Sequence, residues 1–538
     1  MLSFAADYSS LYGSFRWQVP ARYNMGTDVC DRWAAGEPDR LAILHRIGDG
    51  NYERITYGEL RRQSDRLALA LRTLGVGPGH RVALYLPQRP ETALAHIAVW
   101  KLGAISVPMA LLFGPDALAY RLADSGAHTL VTTEAGLATF RRIETPLPAL
   151  DHVVCVDGPS AGAEDFHRLV AEATGDFTPV STGADDPAVM IYTSGTTGNP
   201  KGALHAHRVL LGHLPGVQTS HEFLPRDGDL LWTPADWAWI GGLFDVLMPG
   251  LHFGVPVLAC RFDKFDPEAA FEVMAEARVR NTFLPPTALK MLRTLEAPRA
   301  RFGIDLRTVG SGGESLGIET LEWGRRELGV TINEFYGQTE CNYVLSSCNA
   351  IGVGRPGAIG KPVPGHRVEV IDPDGNVLPP GELGEIAVAR PDPVMFLGYW
   401  NRPEATAAKF VGDWLKTGDQ GVRDADGYIS FVGRDDDVIT SAGYRIGPGE
   451  IEDCLLTHPA VALAAAVGKP DALRTEIVKA FVVLKEGVDG SAELGKEIGA
   501  HVKSRLAAHE YPREIEFVDS LPMTTTGKVM RRVLRDRG

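Results

Sequence analysis

Apolar positions along the chain fall into two spacings, and the alternation between them predicts most of the elements. Residues 81–86, Arg-Val-Ala-Leu-Tyr-Leu, form an apolar run of strand length. Residues 90–102 repeat their apolar positions at helical spacing, with Pro90 at the start and Gly103 as the stop. A strand at 104–107, a helix at 115–123 and, past Gly126, a strand at 128–132 follow. Repeated strand–helix–strand predicts a parallel sheet covered by helices. The same alternation returns at 255–258, 281–284, 308–309 and 331–332, so an α/β body should fill about the first four-fifths of the chain. The apolar stretch Ala188-Val-Met-Ile191 reads as another buried strand.

The pattern changes near residue 430. A strand at 427–432 runs into the polar knot Gly433-Arg434-Asp435-Asp436-Asp437, which cannot sit in a core and reads as a junction. Beyond it lie strand-like 438–439, a helix at 448–456, strands at 461–467 and 479–484, a helix at 497–506 and a last strand at 514–518. The expected architecture is therefore α/β. A large N-terminal body of several subdomains, with parallel and mixed sheets under helices, spans 1–434, and a small α+β domain spans 435–538.

Composition narrows the class. The 538 residues are 44% hydrophobic and 23% charged, the balance of a globular protein. A formal charge of -14 argues against a nucleic-acid or anionic-membrane partner, so an anionic ligand must be held by local groups. The six cysteines form no C-x-x-C pair and suit a reducing compartment. The first 17 residues lack the basic and apolar regions of a secretory signal, and no apolar run is long enough to span a bilayer. The expected location is the cytoplasm.

Five clusters carry chemistry. The first is Tyr192-Thr-Ser-Gly-Thr-Thr-Gly-Asn-Pro-Lys201-Gly202, directly behind the strand 188–191. Its glycines allow close backbone approach, its hydroxyls donate and its lysine adds charge, which together suit a polyphosphate. It is not the ordinary P-loop, because Gly202 stands where Ser or Thr should follow the lysine. A flexible surface loop would share this composition. The second cluster, residues 334–340 (Glu-Phe-Tyr-Gly-Gln-Thr-Glu), reads as a tight loop at a strand end, able to stack a base and hold magnesium. The third, Thr417-Gly418-Asp419, offers a carboxylate to a ribose diol, or simply an Asx turn. The fourth, Arg434 with three aspartates, is a solvated turn or a hinge. The fifth, Thr524-Thr-Thr-Gly-Lys528, repeats the hydroxyl–glycine–lysine chemistry of the first.

In this order and spacing, with Gly312-Gly313-Glu314 and the run 441–452 (SAGYRIGPGEIE) between them, the clusters resemble the adenylate-forming superfamily along essentially the whole chain. The N-terminal stretch 19–34, the GYRIGP run and Tyr511-Pro512-Arg513 are most similar to medium-chain acyl-CoA synthetases. The resemblance implies ATP, Mg²⁺ and coenzyme A as cofactor and co-substrates, and a small carboxylic acid as substrate. Thr193, Ser194, Gly195, Thr196, Thr197 and Lys201 would cover the β- and γ-phosphates. Gly313, Glu314 and Ser315 would frame the adenine, and Tyr336 would stack on it. Thr339 would hold the α-phosphate, Glu340 the Mg²⁺, and Asp419 and Arg434 the ribose. Lys528 would catalyse adenylation. Asp436 would be the hinge on which the mobile C-terminal domain turns. Arg445 would contact the phosphate region in one orientation, and Gly443 would line the pantetheine tunnel in the other. Lys528 is also where a lysine acetylase would act, and the protein would be a monomer or homodimer.

The acid is marked by the segment 232–242, in which Trp239, Ile240 and Gly241 would form the acyl-pocket wall, and by Gly337. Acetyl-specific relatives carry Trp in place of Gly337, so an acid larger than acetate is expected: short- or medium-chain, branched or aromatic. Gly337→Trp should then shift preference toward acetate. Ala442 and Thr475 depart from common family residues near the coenzyme A approach. Two rival readings remain at this level. One is a stand-alone enzyme loading a separate carrier protein, since the chain ends ten residues after Lys528. The other is a non-catalytic nucleotide sensor, against which the joint presence of Lys201, Glu340, Asp419 and Lys528 argues.

Overall fold

The computed structural model describes residues 2–48, 50–193, 199–434, 437–441, 444–471, 474–506, 510–524 and 528–537. Two large sheets dominate the first 400 residues. In one, strands Arg81–Tyr85, Ile105–Met109, Thr129–Thr132 and His152–Cys155 run parallel, as the apolar spacing predicts. Strand Pro187–Thr193 joins Ile105–Met109 in the same direction and then turns back into antiparallel Lys201–Ala206. In the other sheet, Leu231–Trp232, Val257–Ala259, Asn281–Phe283, Thr308–Gly312 and Ile332–Gln338 are parallel neighbours, and Cys341–Ser346 folds back antiparallel on Ile332–Gln338.

The two sheets share one core. Helix Pro90–Lys101 lies inside it, buried around nearly its whole circumference, with its buried Lys101 paired to Asp31 and Asp65 and His96 to Ser106. Helix Tyr57–Thr73 packs on the outside instead. Its start is fixed by a reciprocal cap: Thr56 Oγ1 accepts from Glu59 N at 3.3 Å, and Glu59 Oε2 accepts from Thr56 N at 2.9 Å. The wall segment contains a π-helical turn, Gly241–Leu247, whose wider hydrogen-bond spacing is rare and recurs at functional sites.

A third sheet was not foreseen as a separate layer. Strands Val368–Ile371, Leu383–Ala389, Trp414–Arg423, Phe410–Val411 and Ile429–Arg434 pair entirely antiparallel. The fourth sheet, Tyr444–Ile446, Ile439–Ser441, Thr475–Leu484, Val461–Asp471 and Glu514–Phe517, has its own core with helices Pro448–Leu456 and Ala492–Lys503. The helix expected at 497–506 thus begins earlier, where the Ser491 side chain caps Leu494 N at 3.1 Å. All six cysteines are free and buried. Among the described residues, no helix is long and apolar enough to cross a membrane.

Candidate active site

The sequence-marked residues gather beyond the carboxyl ends of the parallel strands Thr308–Gly312 and Ile332–Gln338, where open α/β sheets characteristically bind ligands. The segment expected as a loop is largely strand. Glu334 to Gln338 continue the sheet, and Thr339 and Glu340 are the two-residue turn of the hairpin to Cys341–Ser346. Parallel pairing with Thr308–Gly312 on one edge and the hairpin with Cys341–Ser346 on the other hold this polar stretch extended. Asp419 likewise sits inside the ten-residue strand Trp414–Arg423 rather than at a strand end, opposite Arg434 in register. Gly418, at φ +79°, breaks the strand's regularity beside it.

Asp419 is the hub. It is nearly buried, its Oδ2 accepts from Tyr336 Oη at 2.6 Å and from Gln338 Nε2 at 3.1 Å, and Arg434 stands 3.7 Å from Oδ1. Burial raises the carboxyl above its ordinary value, opposed by Arg434, the Tyr336 hydroxyl, Lys528 and Lys409. Lys528 therefore lies near enough for its charge to act on Asp419, although the two are more than a hundred residues apart in sequence. Lys528 itself is exposed, and its backbone N–H donates to Thr524 Oγ1 at 3.0 Å. Lys409, which the sequence reading missed, donates to Gln338 Oε1 at 3.2 Å and feels both Glu340 and Asp419.

Glu340 is the second anchor. One carboxylate oxygen accepts from the Tyr399 hydroxyl, and the other has no hydrogen bond among the described residues. Tyr399 is another omission; it lies in strand Gly398–Tyr399, which pairs with Lys201–Ala206, so its ring comes under the Lys201 ammonium at 5.2 Å. Its only sequence signal was the aromatic run 396–400. Burial and the Glu340 charge raise the phenol, so it remains a donor. A lone buried carboxylate with one free oxygen fits Mg²⁺, which takes one or two carboxylates plus phosphate and water oxygens.

Thr193 and Lys201 face each other as the last and first residues of the two strands flanking the glycine-rich run. Ser194, Gly195, Thr196 and Thr197 lie outside the described residues, as do Asp436 and Gly443. Arg445 is placed only by its backbone, paired with Thr440. Gly313, at φ +97°, Glu314 and Ser315 leave the end of strand Thr308–Gly312 next to Tyr336, and Glu314 accepts from Thr287 Oγ1 at 3.1 Å.

In the wall segment, Trp239 packs edge-on against Phe113 at 5.8 Å and Gly241 faces the Phe283 ring. Gly337 sits where the hairpin packs most tightly. A Cβ there would stand 2.3 Å from Tyr343 N and 2.5 Å from Asn342 Cα, so the bare position is what lets the hairpin close around its register shift. Gly337→Trp would push strands apart, so it cannot serve as a clean test of pocket size.

The buried carboxylates Asp419 and Glu340 thus meet Arg434, Lys409 and Tyr399 near these strand ends, with the charge of Lys528 acting on Asp419. The chain belongs to the AMP-binding enzyme family. The family model for AMP-binding enzymes matches residues 30–400, and that for the AMP-binding enzyme C-terminal domain matches residues 450–528. It is 35% identical to the human mitochondrial acyl-coenzyme A synthetase ACSM2B, over 97% of this chain and 93% of that protein. It is also 35% identical to the acetyl-coenzyme A synthetase of Bacillus subtilis (strain 168), over 98% of this chain and 94% of that protein. Among solved structures it resembles the anthranilate CoA ligase AuaEII in complex with anthranoyl-AMP. The TM-score is 0.88 at 29% identity, covering 96% of this chain and 98% of that one.

Proposed function

We infer that the chain is an AMP-forming acyl-CoA synthetase. A carboxylic acid and ATP give an acyl-adenylate and pyrophosphate, and the acyl group then passes to the coenzyme A thiol, releasing AMP. The observation that supports this reading is that the charge of exposed Lys528 acts on Asp419, the buried carboxylate that also meets Tyr336, Gln338 and Arg434.

The chemistry needs orientation and charge neutralisation more than a strong base, because the carboxylate is already a nucleophile. Asp419, with Arg434, would accept the ribose hydroxyls, Tyr336 would cover the adenine framed by Gly313, Glu314 and Ser315, and Thr339 would meet the α-phosphate. Thr193, Lys201 and the run between them would hold the departing pyrophosphate. Lys528 would stabilise the oxygens that gain charge as the carboxylate attacks the α-phosphorus. Mg²⁺, held by Glu340 together with phosphate oxygens, would neutralise phosphate charge. Domains 1–434 and 435–538 would rotate about Asp436 between the half-reactions, withdrawing Lys528, offering the tunnel at Gly443 and moving Arg445 from the phosphates.

Trp239, Ile240 and Gly241 are the proposed acyl-pocket wall, with Gly337 shaping its floor through the tight hairpin; an acid larger than acetate fits this wall. A cytoplasmic monomer or homodimer, with Lys528 open to acetylation because it is exposed, completes the reading. The test is AMP release across a panel of carboxylic acids with and without coenzyme A, alongside ATP–pyrophosphate exchange. Acid-dependent exchange with coenzyme A-dependent AMP release is expected. Exchange without a coenzyme A effect would make the protein a carrier loader, and no exchange would make it a nucleotide binder.

A further inference from the structure

Charged side chains in the C-terminal domain form a clasp that the chemistry above does not use. Arg531 opens the terminal helix Arg531–Arg535, three residues beyond Lys528. It grips Glu452 with two nitrogens: Nη2 donates to Oε2 at 2.7 Å and to Oε1 at 2.9 Å, and Nε donates to Oε1 at 3.1 Å. Ala466 N donates to the same Oε1 at 2.9 Å, which holds the carboxylate from the sheet side. Arg531 Nη1 also lies 3.5 Å from Asp437 Oδ2, and Arg535 Nη2 donates to Asp437 Oδ1 at 2.9 Å. Asp437 follows Asp436 in the chain, and its N–H donates to Arg434 O at 3.0 Å. A guanidinium fork on a carboxylate fixes direction as well as distance. The apolar anchor of the same helix, buried Leu534, does not set orientation.

The clasp joins Lys528 to the surface by which this domain meets the N-terminal body. On one side, Thr524 N donates to Lys528 O at 2.7 Å and Met530 N donates to Pro522 O at 2.8 Å. Lys528 is thus tied to the stretch that runs directly into Arg531. On the other side, Glu452 lies in helix Pro448–Leu456. A Cβ on Gly317 would stand 3.1 Å from Oδ1 of its neighbour Asp453, and a Cβ on Gly449 would stand 3.8 Å from Ser315 Oγ. A direct path from the N-terminal body to Lys528 therefore runs through this helix and the Glu452–Arg531 pair.

We propose that Arg531 is a positioning residue for adenylation: by clasping Glu452 and Asp437 it sets where Lys528 stands relative to Asp419. The proposal rests on the reading of Lys528 as the lysine of the adenylation step. Displacing a reacting group by about 1 Å can cost on the order of 10²-fold in rate, even when the cause lies far from the chemistry. Met in place of Arg531 keeps the apolar stem of the side chain and loses the fork. The helix then stays docked through Leu534 while its direction is freed.

The experiment measures ATP–pyrophosphate exchange in the full-length protein, Arg531→Met, Lys528→Ala and the double variant, with an acid that the panel above shows to be accepted. Thioester formation from the supplied acyl-adenylate of that acid is the second readout. Arg531→Met should lower exchange by about tenfold or more. In the Lys528→Ala background the same substitution should change exchange by less than about twofold, because a residue that acts through Lys528 has nothing left to place. Thioester formation should persist in Arg531→Met, which shows that the domain is folded. Glu452→Gln, which keeps an acceptor for Ala466 N, should repeat this pattern from the other partner. Unchanged exchange in Arg531→Met, an equal fall in both backgrounds, or an equal loss of thioester formation overturns the proposal. The two levels separate cleanly. Undiminished exchange in Lys528→Ala brings down the adenylation role of Lys528 itself, whereas a fall there beside unaltered exchange in Arg531→Met removes Arg531 alone.

Discussion

Lys528 draws its importance from position, since an exposed lysine is commonplace on a protein surface. Its charge acts on Asp419, and in the proposed reading that brings it to the α-phosphate of a nucleotide whose ribose rests on that carboxylate. Lys528→Ala should lower ATP–pyrophosphate exchange by roughly 10²–10³-fold, the usual cost of removing one preorganised charge-stabilising group. Thioester formation from a supplied acyl-adenylate should survive, because the lysine serves only the first half-reaction; equal loss of both steps would remove it from that role. Tyr399 is the matching case on the other side of the site. Its hydroxyl aims the Glu340 carboxylate, and its ring supports Lys201. Tyr399→Phe keeps the ring and deletes the donor. A titration of adenylation against Mg²⁺ should show a requirement raised by about tenfold, as for other partners that orient a metal ligand. An unshifted titration would detach Glu340 from the metal.

The hairpin Ile332–Gln338 with Cys341–Ser346 presents Tyr336, Gln338, Thr339 and Glu340 from one rigid element. Gly337 is its tightest point, so Gly337→Ala should cost about 1–3 kcal/mol through overpacking. It should also reduce activity on all acids by a common factor; thermal melts and a substrate panel would show this, whereas a selective shift among acids would mean that position 337 meets the acyl group directly. The same element shows what the sequence could and could not reveal. Glycines, hydroxyls and charges bunched in short runs announced the site, because such residues are costly in a core and cheap at a ligand. The backbone form of 334–338 was misread as a loop, and that of 417–419 as a strand end or turn, because a polar segment extends when neighbouring strands pair with it and the short-range pattern does not show those partners. The antiparallel sheet 368–434 escaped for the same reason. Lys409 and Tyr399 were invisible: each enters the site through tertiary contact from a stretch whose spacing signals only packing.

At the scale of the whole molecule, acidic groups meet where helix Pro448–Leu456 packs against the N-terminal body. Glu334, largely buried, is pushed up to about 8, by burial first and by the charge of Asp453 on that helix, against the pull of the Leu316 N–H. Asp453 is pushed up to about 6, by burial first, then by Glu452, Glu319 and Glu450, with Lys290 opposing. Both folded values exceed the ordinary 4.5 and 3.8, so the folded protein keeps protons that the unfolded chain releases. Their contribution to stability is complete below those ordinary values and is lost as pH rises toward about 8 for Glu334 and about 6 for Asp453. The loss is on the order of a few kcal/mol for Glu334. Glu334→Gln should therefore melt at the same temperature as the unaltered protein at low pH and at a higher one near pH 8. The proposed rotation about Asp436 would part Asp453 from Glu334, so it relieves their repulsion only once both are ionised. Raising the pH should then slow adenylation relative to thioester formation, and Glu334→Gln should flatten that ratio. A ratio that keeps its pH slope in Glu334→Gln would mean that this carboxyl pair bears on stability alone and the two orientations are balanced elsewhere.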